Sequence, residues 1–269
     1  GMKLVDAIWF VVSFLNLQGD FSDSITSDWG TFDRYDSIGT QNSVDNMVLP
    51  TLLPEILDNY PKVVVKSWQE SFITAEVQDK FDIRFNPLDS SILIPHKNIY
   101  GDIIGVRKRA LVDDDIALGK YRPAVIGGEL RNHPLAFNLY GIDVAKDAIQ
   151  ESGLAIVAES EKSVLQSHSY GIQQTVACCG SSISIYQVNM LVKAGAKELV
   201  IAFDHDFTDL ESEEAQQVAT RLNKLNDKIS PYLKVSFLWD KENLLGYKDS
   251  PFDRGKDVLM KLWKNRVVL

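Results

Sequence analysis

The sequence predicts an α/β fold: a Rossmann-like parallel sheet of about four strands with helices on both faces, preceded by a mixed α+β subdomain. Three observations carry this. From about residue 152, short apolar runs alternate with segments of helical spacing. The runs are near-continuously apolar, as strands buried on both faces must be. Glycines follow the first two helical segments, at Gly171 and Gly195, where helices stop.

Taken in order, residues 1–50 are rich in Asp, Ser and Thr and show no clear period beyond a first helix. "TLLPEILDNY" (51–60) and "VKSWQESFITAEVQDKF" (65–81) read as helices. "SILIPHKNIYGDIIGVRKRAL" (91–111) reads as a hairpin, two apolar runs turning at "IYGD". The regular part then gives strands at "LAIVAE" (154–159), "QQTVACC" (173–179), "ELVIAF" (198–203) and "LKVSFLWD" (233–240). Between them lie helical patterns at 161–170, 184–194 and 211–229, and "RGKDVLMKLWKNR" (254–266) closes the chain as a helix. "IQESG" (149–153) separates two styles of sequence. The expected division is an acidic, partly helical segment (1–60), a basic α+β subdomain (61–150), the parallel-sheet domain (151–253) and a C-terminal helix (254–269).

The chain has 269 residues, 45% of them hydrophobic, enough for one large core or two modest ones. No apolar run reaches the roughly 20 residues of a membrane span, and no cleavage site follows "AIWFVVSFL", so a cytoplasmic protein without membrane contact is expected. The two cysteines, Cys178 and Cys179, are adjacent, a strained pairing for a disulfide, and no zinc spacing occurs. Residues 1–60 hold nine acidic and two basic side chains, so they supply most of the net charge of −9. Nucleic-acid binding by bulk charge is excluded, and any such function needs a local basic surface. Residues 84–131 provide one, with eight Lys/Arg against six acids, densest at "VRKRAL". Arg107 and Arg109 share one face of a strand. The alternative for "RKR" is the exposed face of an edge strand.

In an open parallel sheet, ligands bind beyond the carboxyl ends of the strands. Here the first strand ends on Glu159 and the third runs into Asp204 and Asp206, one residue apart. Side chains at i and i+2 of an extended segment point the same way. The two carboxylates must therefore converge and repel unless a cation lies between them. Oxygen ligands of this kind suit Mg²⁺ or Mn²⁺. Solvated carboxylates, or a helix cap such as Asp209 before "LESEEA", are the alternatives. Gly180, Ser181 and Ser182 follow the second strand, as a phosphate-binding helix start or an ordinary turn. Four scattered histidines, at 96, 133, 168 and 205, lack ligand spacing. His205 lies on the opposite side of the strand from the two aspartates and reads as packed.

A Glu closing the first strand, a Gly after the second and D-x-D after the third resemble the Toprim domain. "VAESEKSVLQ", "ACCGSSIS" and "VIAFDHDF" are similar to its form in bacterial and phage replicative primases. Upstream, "FNPLDSSILIPHKNIYGDIIGVRKRAL", "KYRP" and "FNLYGI" follow the motif order of the primase RNA-polymerase core. The resemblance covers roughly residues 60–255. It implies Mg²⁺-dependent (or Mn²⁺-dependent) synthesis of short RNA primers on a single-stranded DNA template from ribonucleoside triphosphates, without zinc in this chain. It also implies a replicative helicase as partner, met through regions outside this chain. Glu159 matches the family's acid/base or metal-holding glutamate, and Asp204 and Asp206 its metal-binding pair. Asp249 and Asp253 match a late acidic pair more loosely. Arg109 and Lys120 fall on basic positions that contact template or nucleotide. Pro123 stands where Asn is common, Leu135 where a second Lys is frequent, and the zinc-ribbon motif is missing. A Toprim nuclease using the same carboxylates, or a non-catalytic DNA-binding or replication-assembly protein, are the rival readings.

Overall fold

The computed structural model describes residues 49–268; the expected first helix and most of the acidic segment 1–60 lie outside them. The first elements form a four-stranded antiparallel meander: β1 (Arg84–Asn86), β2 (Ser91–Lys97), β3 (Ile103–Ala110) and β4 (Tyr121–Pro123). β2 and β3 are the expected hairpin. Leu93 of β2 packs with Ile103, Val106 and Ala124 on one face. Ile92 and Ile94 face the other way, onto Trp68, Ile73 and Val77. Opposed residues of an antiparallel pair share a face. Arg107 pairs with Ile94 and Arg109 with Ile92, so both arginines point toward the rest of the molecule. Lys108, opposite Leu93, points away and pairs with Asp89 at 2.8 Å. β4 covers the 107–109 stretch, so "RKR" is not on an edge strand.

Two helical readings in this half need correction. "TLLPEILDNY" gives only a 3-10 turn at Pro54–Leu57. The segment 65–81 is two short helices, α1 (Lys66–Gln69) and α2 (Ala75–Lys80), broken where Phe72 adopts φ 67° and Thr74 caps α2. Next come α3 (Asp113–Ala117), a small ribbon of β5 (Val125–Ile126) with β6 (Glu129–Leu130), and a 3-10 turn at Leu135–Phe137.

α4 (Ile142–Ser152) was not expected. Gly141 opens it at φ 82°, where a Cβ would come within 3.1 Å of Val164. "IQESG" is its last turn and stop, and Ile142, Ala145 and Ile149 pack into the core of the parallel sheet. That sheet comprises β7 (Leu154–Ala158), β8 (Thr175–Ala177), β9 (Glu198–Ala202), β10 (Lys234–Phe237) and the short β11 (Val267–Val268), in the order β11-β10-β9-β7-β8. β7 to β10 run parallel, while β11 joins antiparallel at the edge. The helices are α5 (Glu161–Ser169), α6 (Ile185–Lys193), α7 (Glu213–Ile229) and α8 (Lys256–Lys264). α4, α6 and α7 cover one face of the sheet, through Leu191, Leu222 and Leu225. Leu259 of α8 packs on the other face, against Ile156 and Val200. α5 lies on that side as well, inserting Val164 and Leu165 between the sheet and the meander.

The fold class expected from sequence is therefore the one observed. β7 hands the chain to α5 on one face and β9 hands it to α7 on the other. Between their carboxyl ends the topology switches direction, which is where open α/β sheets hold ligands. None of the helices among the described residues is long and apolar enough to cross a membrane.

Candidate functional site

A cleft of about 340 Å³ opens at that switch point, between the carboxyl ends of the sheet and the meander. Glu159, Asp204 and Asp253 line it together with Arg107, Lys120, Lys162, Lys248, Tyr121 and Gly180. Of the residues singled out from sequence, Asp206, Asp249, Arg109 and Ser181 lie outside its lining.

The acidic wall carries uncompensated negative charge. Glu159 directly follows β7, and its Oε1 accepts the backbone N–H of Asp204 at 3.3 Å. Burial, then the charge of Asp204, pushes its carboxyl up to about 8. Asp204 is raised to about 6 by burial and by Asp253 and Asp206. Its Oδ1 is buried with no hydrogen-bond partner. Asp206 turns to Lys248 at 2.8 Å and Arg221 at 3.3 Å. Asp253 accepts from Lys162 at 2.7 Å, Gln166 at 3.1 Å and the Ser250 N–H at 2.9 Å. Burial raises its carboxyl, but Lys162 outweighs that and holds it below the ordinary range. Asp249 caps its own loop, taking the Gly246 N–H at 2.7 Å and Arg254 at 2.5 Å.

The D-x-D is not a helix cap. Ser212 caps α7, accepting from Ala215, and Asp209 sits one turn ahead of it. Gly180 and Ser181 do not open α6 either, because Ser184 caps that helix in a reciprocal box with Gln187. Their backbone is a loop beside the cleft. His205 is buried and packs on Phe207 with ring centroids 4.0 Å apart, as expected.

The basic wall has a second charged centre that sequence reading missed. Glu161, the first residue of α5, is 1% exposed. Its Oε1 takes Arg107 Nη1 at 2.6 Å and His96 Nε2 at 3.1 Å. Burial lowers the pKa of His96, so a neutral imidazole donates and Arg107 carries the compensating charge. Burial would raise Glu161, but His96 and Arg107 outweigh it and hold the carboxyl at about 2. Cys179 approaches the same group, and His96, Glu161 and Cys179 offer ligand atoms within 4.8 Å of one another. The charge that a metal would bring there is already supplied by Arg107. No local signal announces this centre, since its members are 54 and 65 residues apart. Arg109 lies over Trp68 and Tyr121, with its guanidinium carbon 5.6 and 6.0 Å from the ring centroids. Tyr100 is 84% exposed at the hairpin tip.

The donor set of the cleft fits a hard divalent cation. Its ligand atoms are carboxylate oxygens, one buried and orphaned, on groups that burial and neighbouring acids raise above the ordinary carboxylate range. Among the described residues, these carboxylates include no three with ligand atoms all within 4.8 Å of one another. An open arrangement suits Mg²⁺, which keeps several waters and binds through one or two carboxylates plus substrate phosphates.

No family model matches the chain. It is 30% identical to the SPbeta prophage-derived uncharacterized protein YorJ of Bacillus subtilis (strain 168), with 94% of this chain and 69% of that protein aligned. The chain belongs to the same family as YorJ. It is 32% identical over 115 residues to the DNA primase of Aquifex aeolicus, a match covering 43% of this chain and 22% of that protein. In structure, the whole chain superposes on the zinc-binding and RNA-polymerase domains of the Aquifex aeolicus primase, with a TM-score of 0.60 and 19% identity over 68% of that chain. A DnaG primase catalytic domain bound to single-stranded DNA superposes at 0.55, with 17% identity over 76% of this chain and 74% of that one. The fold is thus that of the RNA-polymerase core of bacterial and phage-type primases, as the order of motifs implied. In this primase-type core, the cleft lies where the parallel sheet meets the basic meander.

Proposed function

We propose that the chain is a primase catalytic core, a nucleotidyltransferase that joins ribonucleotides on a single-stranded DNA template. The observation that carries this reading is the convergence of carboxylates, one with an orphaned buried oxygen at Asp204, and cationic side chains on one cleft. Glu159, Asp204 and Asp253 line the cleft and would hold Mg²⁺ or Mn²⁺, with Asp206, outside the lining, as a further ligand. A divalent ion held by these carboxylates would supply the positive charge that offsets the phosphates.

The chain's own groups divide the remaining work. Lys120 stands on the cleft wall as a cation for phosphate oxygens, while Arg107 offers the edge of a guanidinium fixed from behind by Glu161. Tyr121, on the same wall, carries Arg107 and Arg109 over its ring, with their guanidinium carbons 5.9 and 6.0 Å from its centroid, and so helps to hold both cations in place. In the metal-free cleft, burial and then Asp204 raise the Glu159 carboxyl to about 8, which suits it either to take a share of the cation or to act as general base for a 3′-hydroxyl. Template binding is inferred from the DNA-bound neighbour and the basic meander.

The test is to incubate the chain with single-stranded DNA, labelled ribonucleotides and Mg²⁺ or Mn²⁺. Labelled oligoribonucleotides are expected. Degraded DNA would instead establish a nuclease, and neither product would leave a non-catalytic DNA-binding protein.

A further inference from the structure

Lys248 occupies a position that the proposed reaction has not yet used. Its Nζ lies 2.8 Å from Asp206 Oδ1, and its side chain, 59% exposed, also lines the cleft. The backbone beneath it is fixed. Lys248 N donates to His205 O at 2.8 Å, and His205 N donates to Asp249 O at 2.8 Å, so this loop is clamped to the centre of the D-x-D. Lys248 sits at φ 65°, a left-handed conformation that strains a non-glycine residue. With the main chain held, only the four-carbon stem can move.

We propose that Lys248 is a tethered counter-ion for Asp206 in the metal-free protein, and that it becomes a contact for the triphosphate of the incoming nucleotide. Two cations cannot share one carboxylate oxygen at hydrogen-bond distance without strong repulsion. A divalent ion that takes Asp206 Oδ1 therefore releases the ammonium, and its tether leaves it in the cleft, where phosphate would lie. Arg221, 3.3 Å from the other oxygen of Asp206, stays as the fixed partner. This inference rests on the cation reading of the cleft and adds a substrate contact to it.

The two roles predict effects of opposite sign, which a purely structural lysine would not produce. In Lys248→Gln, the Mg²⁺ or Mn²⁺ concentration at half-maximal rise in Tm should fall about two- to five-fold, because the competing ion pair is gone. At saturating metal, the same variant should bind a non-hydrolysable ribonucleoside triphosphate several-fold more weakly. Lys248→Arg should restore triphosphate binding. Lys248→Gly removes the charge and also relieves the backbone, so it repeats the metal result if the Gln variant folds poorly. A wild-type metal response with an unchanged or higher midpoint in the Gln and Gly variants overturns the counter-ion role alone. Unchanged triphosphate affinity overturns the substrate contact. No metal response in the wild type overturns the cation reading and this inference with it.

Discussion

Glu159 and Glu161 are two residues apart, both withdrawn from water, and their carboxyls titrate about as differently as two glutamates can, near 8 and near 2. The side chain and the burial penalty are shared. Partners make the difference. Glu161 enters α5 and meets Arg107 and His96, delivered by β3 and β2 from the meander. Glu159 stays at the end of β7 and meets Asp204, another acid. A buried carboxylate with a cation is a joint between two parts of the fold, and one facing another acid still awaits its cation. The same rule separates two other acids at this end of the sheet. Asp249 is paired within its own loop, whereas Asp204 keeps an orphaned oxygen.

The sharpest way to break the comparison is to take away Glu161's partner. Arg107→Ala leaves a buried charge uncompensated, which costs about 3–5 kcal/mol, whereas replacing both members by apolar residues of similar volume costs much less. Urea melts of Arg107→Ala, and of Arg107→Met combined with Glu161→Leu, measure this. A loss below about 1 kcal/mol in the single variant would show that Arg107 is not the compensating charge.

Glu159 sharpens the contrast from the other side. Glu159→Gln replaces an acid whose ionisation burial and Asp204 oppose, so metal-free stability should hold or rise while turnover falls by at least ~10²-fold. The pH dependence separates the two glutamates by sign. Glu161, with its folded pKa depressed to about 2, gives stability that is present above the unfolded value of about 4.3 and is lost as pH falls toward 2. Glu159, raised to about 8, gives stability that is full below about 4.3 and is lost as pH rises through 8. Buried neutral histidines such as His133 and His168 add stability as pH rises toward the ordinary histidine value of about 6.5, so the glutamate is isolated above it. Metal-free melts of the wild type should therefore decline from pH 7 to 8.5, and Glu159→Gln should flatten that decline. An unchanged slope would remove Glu159 from the uncompensated set.

The legibility of these groups follows the same division. Glu159, Asp204 and Asp206 stand at strand ends, and the apolar runs before them reveal that placement, so local pattern reaches them. The hairpin and the four parallel strands were visible for the same reason. Glu161 looked like an ordinary acidic first turn, because its partners come from a distant hairpin and only tertiary packing unites them. The break at Phe72–Thr74 was hidden inside a helical period that runs on across it. β11, two residues long, has no pattern of its own and exists by pairing with β10. The roles of Arg107 and Arg109 needed the register of β2 against β3, which fixes the side of the sheet they face.

The smallest expected effect tests whether pairing really distinguishes the acids. Asp249 belongs to the late acidic pair of the primase resemblance, yet its Oδ2 is taken by Gly246 N–H and Arg254, and it is absent from the cleft lining. Asn keeps an oxygen for Gly246 and loses only the charge toward Arg254, which is half exposed, so Asp249→Asn should cost under about 1 kcal/mol. Its loop stays clamped, because the bonds to His205 use backbone atoms alone. The divalent-ion increment in Tm should then survive in Asp249→Asn and vanish in Asp204→Asn, whose metal-free stability should hold or rise as like-charge repulsion is relieved. If Asp249→Asn abolishes the increment as fully as Asp204→Asn, then Arg254 yields to the cation and Asp249 is a ligand. A carboxylate paired at the rim would then be as available as an orphaned one within, and burial together with pairing, as at Glu161, would be what makes an acid structural.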